Sequence, residues 1–524
     1  MKKIAYLLSV YAIVMFSGCK GPDSDSNRPN IIFILADDLG YGDISAFNSE
    51  GKINTPYVDQ LAEEGMMFTD AHTSSAVCTP TRYGVLNGRY NFRSRLKRGV
   101  LYGMSKGLID TARTTMASML QEQGYHTAYI GKWHLGWNWQ MKENKEGGDK
   151  GISEFQRIDY TKPIEHSPND VGFDYAYGHV ASLDMPPYVY VENEYATSVP
   201  DRIVEETDRM AFYRKGPAGA DFIMDQVTPH FFHKAMDYVA ERSIKKEPFF
   251  LYLPLPSPHT PILPTEEWQG RSSLNPYADF VMMVDDYVGQ LMKKLDDEGL
   301  SENTILIFSS DNGCSPRADF DDLASKGHDP SYIFRGHKAD LFEGGHRVPF
   351  VVRWPGVVKP GSICKKTICQ VDLMATFADL TGYTLPEDGA EDSFSFLSLL
   401  TDPASETYER VSLVSHSIDG SFAIRKGPWK LLLCSYSGGW SFPRKRDLAT
   451  IDPLPPVQLY HLENDPGETN NLYAKYPEKV EELKSEMIRI YLEGRSTEGP
   501  AQKNDPPRRE NWEEPWFITE LANE

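Results

Sequence analysis

The stretch SSAVCTPTRYGVLNGR, residues 74–89, sets Cys78 two residues before Pro80 and four before Arg82. With Thr79 as a cap and Pro80 at the first helical position, Cys78 falls just ahead of a helix N-terminus, where unpaired amides collect partial positive charge. Such a place favours anions and activates a thiol as a nucleophile. Arg82 can turn back across that first turn. Two pairs of oxygen-donor side chains, Asp37 with Asp38 and Asp311 with Asn312, each follow an apolar run. Donors of this kind suit a hard divalent cation, Ca²⁺ or Mg²⁺. Either pair alone also reads as an ordinary turn, because Asp and Asn bond their own backbone at chain reversals. Their common position after apolar runs favours the metal.

These residues need rigid elements to hold them. NIIFILADD is apolar from Ile31 to Ala36 and stops at two aspartates. Continuous apolarity with β-branched residues describes a strand buried on both faces of a parallel sheet. TPYVDQLAEEG then predicts a helix, with Thr55 as N-cap, Pro56 at the first position, Val58, Leu61 and Ala62 on one face, and Gly65 as a stop. The alternation recurs: helix TTMASMLQEQG and strand HTAYIGK, helix TPHFFHKAMDYVAERS and strand PFFLYLPL, helix YADFVMMVDDYVGQLMKKLDDEG and strand NTILIFSSDNG. The expected fold is an α/β sandwich with a large, mostly parallel sheet over residues 29–400. Ligand sites in such sheets lie beyond the carboxyl ends of the strands, where both donor pairs fall. The runs RVSLVS, SFAIRKG and PWKLLLC and the helix PEKVEELKSEMIRIYLEG predict a smaller α+β domain with an antiparallel sheet over 405–524.

A chain of 524 residues with a formal charge of -21 has room for one large domain and a small one, and its field repels polyanions. Nucleic acid is therefore not an expected partner, and an anionic substrate requires a locally basic pocket. The opening MKKIAYLLSVYAIVMFSGC has two lysines, an apolar run from Ile4 to Phe16, and small residues before Cys19. It is similar to a bacterial lipoprotein signal over residues 1–19, leaving Cys19 as a lipidated N-terminus and residues 20–28 as a polar tether. The protein is expected to be exported and lipid-anchored in a bacterial envelope, at the periplasm or cell surface, touching the membrane only through that anchor. Export permits disulfides among Cys314, Cys364, Cys369 and Cys434, and spacing leaves their pairing open.

The longer pattern CxPxRxxxxxGR resembles the signature of the type I sulfatases of the alkaline-phosphatase superfamily. Further matching blocks follow in order: NIIFILADDLGYGD, TPYVDQLAEEGMMFTDAH, YIGKWHLG, SPHTP, SSDNG, EGGHRVP and LYHLENDPGE. The resemblance implies an alkaline-phosphatase-like α/β sandwich. It also implies that a formylglycine-generating maturation enzyme oxidises Cys78 to formylglycine (3-oxoalanine), an aldehyde hydrated at rest. A thiolate attacking a sulfate ester would form a stable thiosulfonate, whereas a geminal diol can attack with one hydroxyl and collapse through the other. By resemblance, Asp37, Asp38, Asp311, Asn312 and residue 78 hold the metal, usually Ca²⁺ with Mg²⁺ as the second choice, and Asp311 accepts the attacking hydroxyl's proton. Arg82 pairs with the diol or fixes the metal shell. Lys132, His259 and Lys338 line the sulfate, with His259 or Lys338 protonating the leaving oxygen, and His134 takes the proton that allows sulfate to be expelled. Ser182 matches a sulfate-contacting hydroxyl.

The implied function is hydrolysis of carbohydrate sulfate esters. GFDYAYGHVASLDMPPYVYVEN is similar to stretches of exo-acting bacterial sulfatases for galactose and N-acetylgalactosamine sulfates. The alternatives are a phosphodiester or phosphonate monoester hydrolase of the same superfamily, or a catalytically silent glycan-binding lipoprotein. His126, His337, His346, Trp137 and Trp139 lie near these motifs, and packing is the default reading for them. Cys314, directly after SDNG, departs from the common pattern, which has a small residue there.

Overall fold

The computed structural model describes residues 28–143, 154–507 and 512–521. The signal segment, Cys19 and all but the last residue of the expected tether lie outside the described residues.

Asn30–Asp37 forms the expected strand and is buried along its whole length. Ile32 and Ile34 join one apolar cluster, while Ile31, Phe33 and Leu35 join another on the opposite face. Successive strand side chains point to opposite faces, so a strand covered on both sides has no position left for a polar residue. It pairs in parallel with Phe249–Pro258 on one side and Thr304–Ser310 on the other. His126–Lys132 and Tyr175–His179 extend the parallel set beyond Phe249–Pro258. Short strands complete a ten-stranded sheet, with Phe350–Arg353 antiparallel at one flank and Val191–Glu192 antiparallel at the other. Helices Pro56–Glu64, Val227–Lys245 and Pro276–Asp297 cover one face through residues such as Leu61, Phe231 and Val281. Cys78–Asn87, Met116–Glu122 and Leu373–Thr381 cover the other through Leu86, Met119 and Phe377.

Two helix starts differ from the sequence reading. Thr55 occupies the N-cap position of Pro56–Glu64 but makes no capping bond. Asp285, on the Pro276–Asp297 helix, accepts the amides of Val58 at 2.8 Å and Tyr57 at 3.2 Å instead. A carboxylate satisfies those amides and interacts favourably with the positive helix end. The Thr55 hydroxyl meanwhile serves Ser45. The second helix begins at Cys78 with Val77 as N-cap, two residues before the predicted Pro80 start. Thr79 is not the cap because its Oγ1 donates to the His134 carbonyl at 2.9 Å and accepts from the Leu101 amide at 3.2 Å. Pro80 is tolerated within the first turn, whose amides have no intrahelical partner.

The small C-terminal domain has four antiparallel strands in sequence order, Leu413–His416, Phe422–Lys426, Trp429–Leu432 and Gln458–His461. Helix Pro477–Glu493 packs on them through Leu483, Met487 and Ile490. Tyr90, Phe92, Cys369 and Val371, from the large domain's connecting segments, belong to the same apolar cluster, so the small domain packs on the large one through a shared apolar contact. A buried ionic seam reinforces the junction. Lys430 Nζ stands 2.9 Å from both Glu343 Oε1 and Glu468 Oε1 and 3.1 Å from His346 Nε2. His346 Nδ1 meets His72 Nδ1 at 3.0 Å, and His72 Nε2 meets Asp70 Oδ1 at 2.9 Å. Arg425 closes the seam on Asp70 at 2.7 Å. His346 thus belongs to this seam, while Trp137 packs edge to face on Trp139 at 5.4 Å in the core. Cys78, Cys314, Cys364, Cys369 and Cys434 are all buried free thiols.

Lys430→Met leaves two buried carboxylates without their shared cation and should destabilise the protein by about 3–5 kcal/mol. Urea unfolding followed by fluorescence measures this, and adding Glu468→Gln should restore part of the loss. A change under about 0.5 kcal/mol would show that the seam contributes nothing to stability.

Candidate active site

The register of the central strands gathers the site. Ala36 pairs with Ser310 and Asp37 with Pro258, so Asp37–Asp38, His259 and Asp311–Asn312 leave three adjacent strands at one level. Lys132 ends the next strand along. Asp38 has a left-handed φ of 63°, which Asp tolerates better than most residues. The loop after Asn312 passes so close to another backbone that a Cβ on Gly313 would lie 1.8 Å from the Gly344 carbonyl oxygen, and only glycine fits. Cys78 reaches the same point from the first turn of its helix. The preceding loop is fixed by the small domain: Ser75 Oγ and the Ala76 amide donate to the His416 carbonyl at 2.7 and 3.0 Å.

The carboxylates are buried and held apart from one another by cations. Arg82 donates through Nε to Asp311 Oδ2 at 3.0 Å, through Nη1 to the Lys132 carbonyl at 2.9 Å, and stands 3.5 Å from Asp37 Oδ2. Lys132 Nζ donates to Asp37 and contacts Ser182 Oγ at 3.3 Å. Lys338 Nζ lies 2.6 Å from one Asp38 oxygen and 2.8 Å from the other. Burial works to raise the pKa of Asp37, but Lys132, His259, Arg82 and Lys338 outweigh it and hold the carboxyl well below the usual range. Asp311 is pushed up to about 7, by burial first and by the Asp37 charge second. Asn312 Nδ2 donates to Asp38 Oδ1 at 2.7 Å, which turns its Oδ1 away from that partner.

Asn312 Oδ1 and Asp37 Oδ1 are buried with no hydrogen-bond partner, a costly state for polar atoms unless something else satisfies them. Ligand atoms of Asp37, Cys78 and Asp311 lie within 4.8 Å of one another, and so do those of Asp37, Asp38 and His259. One orphaned hard oxygen belongs to Asp37, which is in both groups, and the other to Asn312, which is bonded to Asp38, and such donors fit a hard divalent cation. Every oxygen-donor residue expected from the sequence is in this cluster.

Cys78 is only 2% exposed. Burial pushes its thiol up to about 11, against the opposing pull of Lys132 and Lys338, so the encoded side chain is a neutral thiol rather than the activated thiolate suggested by its helix-end position. The imidazole of His134 contacts the Leu101 carbonyl through Nε2 at 2.9 Å, which requires the hydrogen on Nε2 and leaves Nδ1 an acceptor, buried and unpartnered. Burial, with Lys132 and Arg82 nearby, holds its pKa well below the usual imidazole range, so it is neutral. His259 Nδ1 donates to the Thr260 carbonyl at 2.6 Å, and Nε2 stands 3.6 Å from Asp38 Oδ2.

Cys78, His134, Ser182, His259 and Lys338 line one cavity of about 390 Å³. Asp37, Asp38, Arg82, Lys132, Asp311 and Asn312 are buried behind these residues. The cavity walls also hold residues that sequence reasoning missed: Tyr102, Asp184, Arg214, Arg317, and, from the small domain, Ile418 and Trp440. No spacing rule links them. Asp184 alone carried a signal, being two residues beyond Ser182 in the stretch compared with sugar sulfatases. Cys314 is buried in the core, where burial holds its thiol well above the ordinary range.

Residues 29–383 match the family model described as Sulfatase. The chain belongs to the sulfatase family. Residues 337–441 also match the C-terminal model described for N-sulphoglucosamine sulphohydrolase. Among curated relatives, this sulfatase is 35% identical to an N-acetylgalactosamine-6-O-sulfatase of Bacteroides thetaiotaomicron, over 93% of this chain and 99% of that one. It is 30% identical to human arylsulfatase A, over 90% of each chain. A solved Bacteroides thetaiotaomicron sulfatase, described with the metabolism of multiple glycosaminoglycans, superposes with a TM-score of 0.77 at 33% identity, covering 88% of this chain and 99% of that one.

If the oxygen cluster holds a divalent cation, Ca²⁺ at a hundred times its dissociation constant should stabilise this sulfatase by about 2.7 kcal/mol. Melting temperatures with Ca²⁺, with Mg²⁺ and with chelator measure the shift. Asp37→Ala should erase the cation-dependent part whatever it does to the baseline. A wild type indifferent to both cations would contradict the site.

Proposed function

We propose that this sulfuric ester hydrolase removes sulfate from a terminal sugar of a sulfated glycan, of the galactose or N-acetylgalactosamine type, using formylglycine made from Cys78 and a Ca²⁺ ion. The observation that carries the reading is that Cys78 and Lys338 open on one cavity and are in contact, behind its wall, with a buried cluster of hard oxygen donors and cations. At about 390 Å³ that cavity is in the range of small-molecule sites, which supports a pocket for one terminal sugar rather than a groove along a polymer. The similarity to an N-acetylgalactosamine-6-O-sulfatase supports the sugar class.

In the proposed reaction Asp37, Asp38, Asp311 and Asn312 hold the cation, which would polarise a sulfate oxygen and ease deprotonation of the attacking hydroxyl. Lys338 and Ser182, in the cavity wall, would present donors to the sulfate oxygens, and Lys132 behind them holds Asp37 and contacts Ser182. Lys338, an ammonium tied to both oxygens of Asp38, carries a proton for the leaving sugar oxygen, whereas His259 gives its Nδ1 hydrogen to the Thr260 carbonyl and could act there only from its imidazolium form, through the Nε2 that stands 3.6 Å from Asp38. One hydroxyl of the hydrated aldehyde at residue 78 bonds to sulfur as the sulfur–oxygen bond to the sugar breaks. His134 Nδ1 then takes the proton of the second hydroxyl, so that the aldehyde reforms and sulfate leaves. Arg82 orients Asp311 and Asp37 and keeps their charges from repelling each other. Because Cys78 and its neighbours Thr79 to Arg82 are all buried, a maturation enzyme would have to read this stretch before the chain folds. The leader's pattern supports export and lipid anchoring through Cys19.

Mass spectrometry of the peptide around residue 78 from a host that has the maturation enzyme should show the aldehyde or its hydrate. Matured protein should turn over 6-sulfated N-acetylgalactosamine or galactose in preference to aryl phosphate diesters and phosphonate monoesters. Cys78→Ala should lower kcat by at least about 10³-fold while calorimetry still detects the sulfated sugar. A preference for either phosphorus ester would sink the assignment, and binding without turnover by fully converted protein would favour a silent glycan-binding role.

A further inference from the structure

Asp184 lies in the cavity wall, with Cys78, Ser182, His259 and Lys338 among the other lining residues. It is 5% exposed, and one carboxylate oxygen, Oδ2, accepts from Arg214 Nη1. The other, Oδ1, is buried and has no hydrogen-bond partner. The pair is built into place: the Arg214 amide donates to the Asp184 carbonyl at 3.0 Å, and Tyr188 Oη lies 2.6 Å from the Arg214 carbonyl and 3.2 Å from that of Asp184. The Arg214 guanidinium also rests 5.2 Å from the Phe212 ring centroid, with Arg317 at 4.9 Å from the same ring.

A buried carboxylate oxygen without a donor costs free energy, and none of the described residues supplies one. Asp184 is in none of the groups of described residues that could hold a metal ion, and its neighbouring Arg214 disfavours a cation there. The missing partner is a hydrogen-bond donor that arrives in the cavity. Sulfate offers none, because at neutral pH it is an acceptor only, so the donor belongs to the part of the substrate that carries the sulfate. Aryl groups have no hydroxyl there and sugars do.

We propose that Asp184 is a specificity residue that accepts a hydroxyl hydrogen from the sulfate-bearing sugar through Oδ1, and that Arg214 is the positioning residue that fixes the carboxylate by holding Oδ2. This rests on the carbohydrate reading above and adds the group that tells a sugar from another alcohol. A site built to hydrogen-bond a substrate hydroxyl penalises analogues lacking it more strongly than an apolar pocket can, because its polar atom is then left unpaired.

The test compares kcat/KM of the matured enzyme for a 6-sulfated N-acetylgalactosamine, its monodeoxy analogues and 4-nitrophenyl sulfate. Asp184→Ala should reduce kcat/KM on the intact sugar about 10- to 100-fold more than on the aryl ester. One deoxy analogue should lose a similar factor with wild type and no further factor with the variant. Asp184→Asn, which keeps the side-chain volume, should show the same sugar-selective loss if alanine impairs folding, and Arg214→Ala a smaller one. Equal losses on sugar and aryl esters, or a sugar preference that survives both Asp184 variants, would overturn the assignment alone. A wild type that hydrolyses the aryl ester but no sulfated sugar would overturn the carbohydrate reading and this inference with it.

Discussion

The structure turns on one electrostatic constraint: Asp37, Asp38 and Asp311 are buried side by side at the ends of two adjacent strands. Three carboxylates cannot share a site out of water unless positive charge is built in around them. Arg82, Lys132 and Lys338 meet that need from three different elements, and each is itself buried against a carboxylate. Asp37 Oδ1 and Asn312 Oδ1 remain buried without a hydrogen-bond partner among the described residues, which supports the proposal of one more positive charge there. In the cavity wall itself Lys338, Arg214 and Arg317 outnumber the one carboxylate, Asp184, which gives a chain of formal charge -21 a locally basic pocket for an anionic substrate.

That arrangement depends on more than the large sheet. The loop carrying residues 75 and 76 hangs from His416 on the first strand of the small domain. The Ala339 amide, next to Lys338, donates to the Ala76 carbonyl at 2.8 Å, and the Ile418 amide to the Ala339 carbonyl at 3.3 Å. Residue 78, Lys338 and the small domain are therefore stitched into one backbone network. The buried seam around Lys430 anchors the same domain a short distance away. The small domain is a structural wall of the cavity, which is why Ile418 and Trp440 face the substrate space.

Much of this was legible from residues alone, for identifiable reasons. A strand such as Ile31 to Ala36 announces itself because burial on both faces forbids polar residues, and a metal cluster at strand ends follows from sheet topology once the strands are known. Local capping rules fail where tertiary bonds claim the capping group: the Thr55 and Thr79 hydroxyls serve Ser45 and His134, and Asp285 supplies a cap to Val58 from 227 residues away in sequence. Asp184 and Arg214 were invisible as a pair because they are 30 residues apart and carry no motif. Roles that depend on a fixed tautomer, such as the acceptor Nδ1 of His134, require the Leu101 carbonyl to be seen in place.

The position of Cys78 also explains why an ionic nucleophile would be poorly suited to this site. A helix N-terminus stabilises a thiolate, but the gain is about 0.3–1 kcal/mol and is set against full burial. Burial wins, and the thiol is driven up to about 11 with Asp37 and Asp311 adding to the effect of desolvation. A neutral hydroxyl carries no such penalty at rest, because its proton leaves only as it is handed to an acceptor during attack. In the proposed reaction two such acceptors are at hand: Asp311, whose ligand atom lies within 4.8 Å of that of Cys78, and His134, which lines the same cavity as residue 78. A side chain with two hydroxyls on one carbon can use both in turn, one to form a bond and one to break it. A thiol has a single proton and no second group through which to collapse. The electrostatics of the pocket therefore favour the proposal made from the signature around Cys78, that the encoded cysteine is a precursor: the burial that disables it as a thiolate would suit a neutral diol at that position.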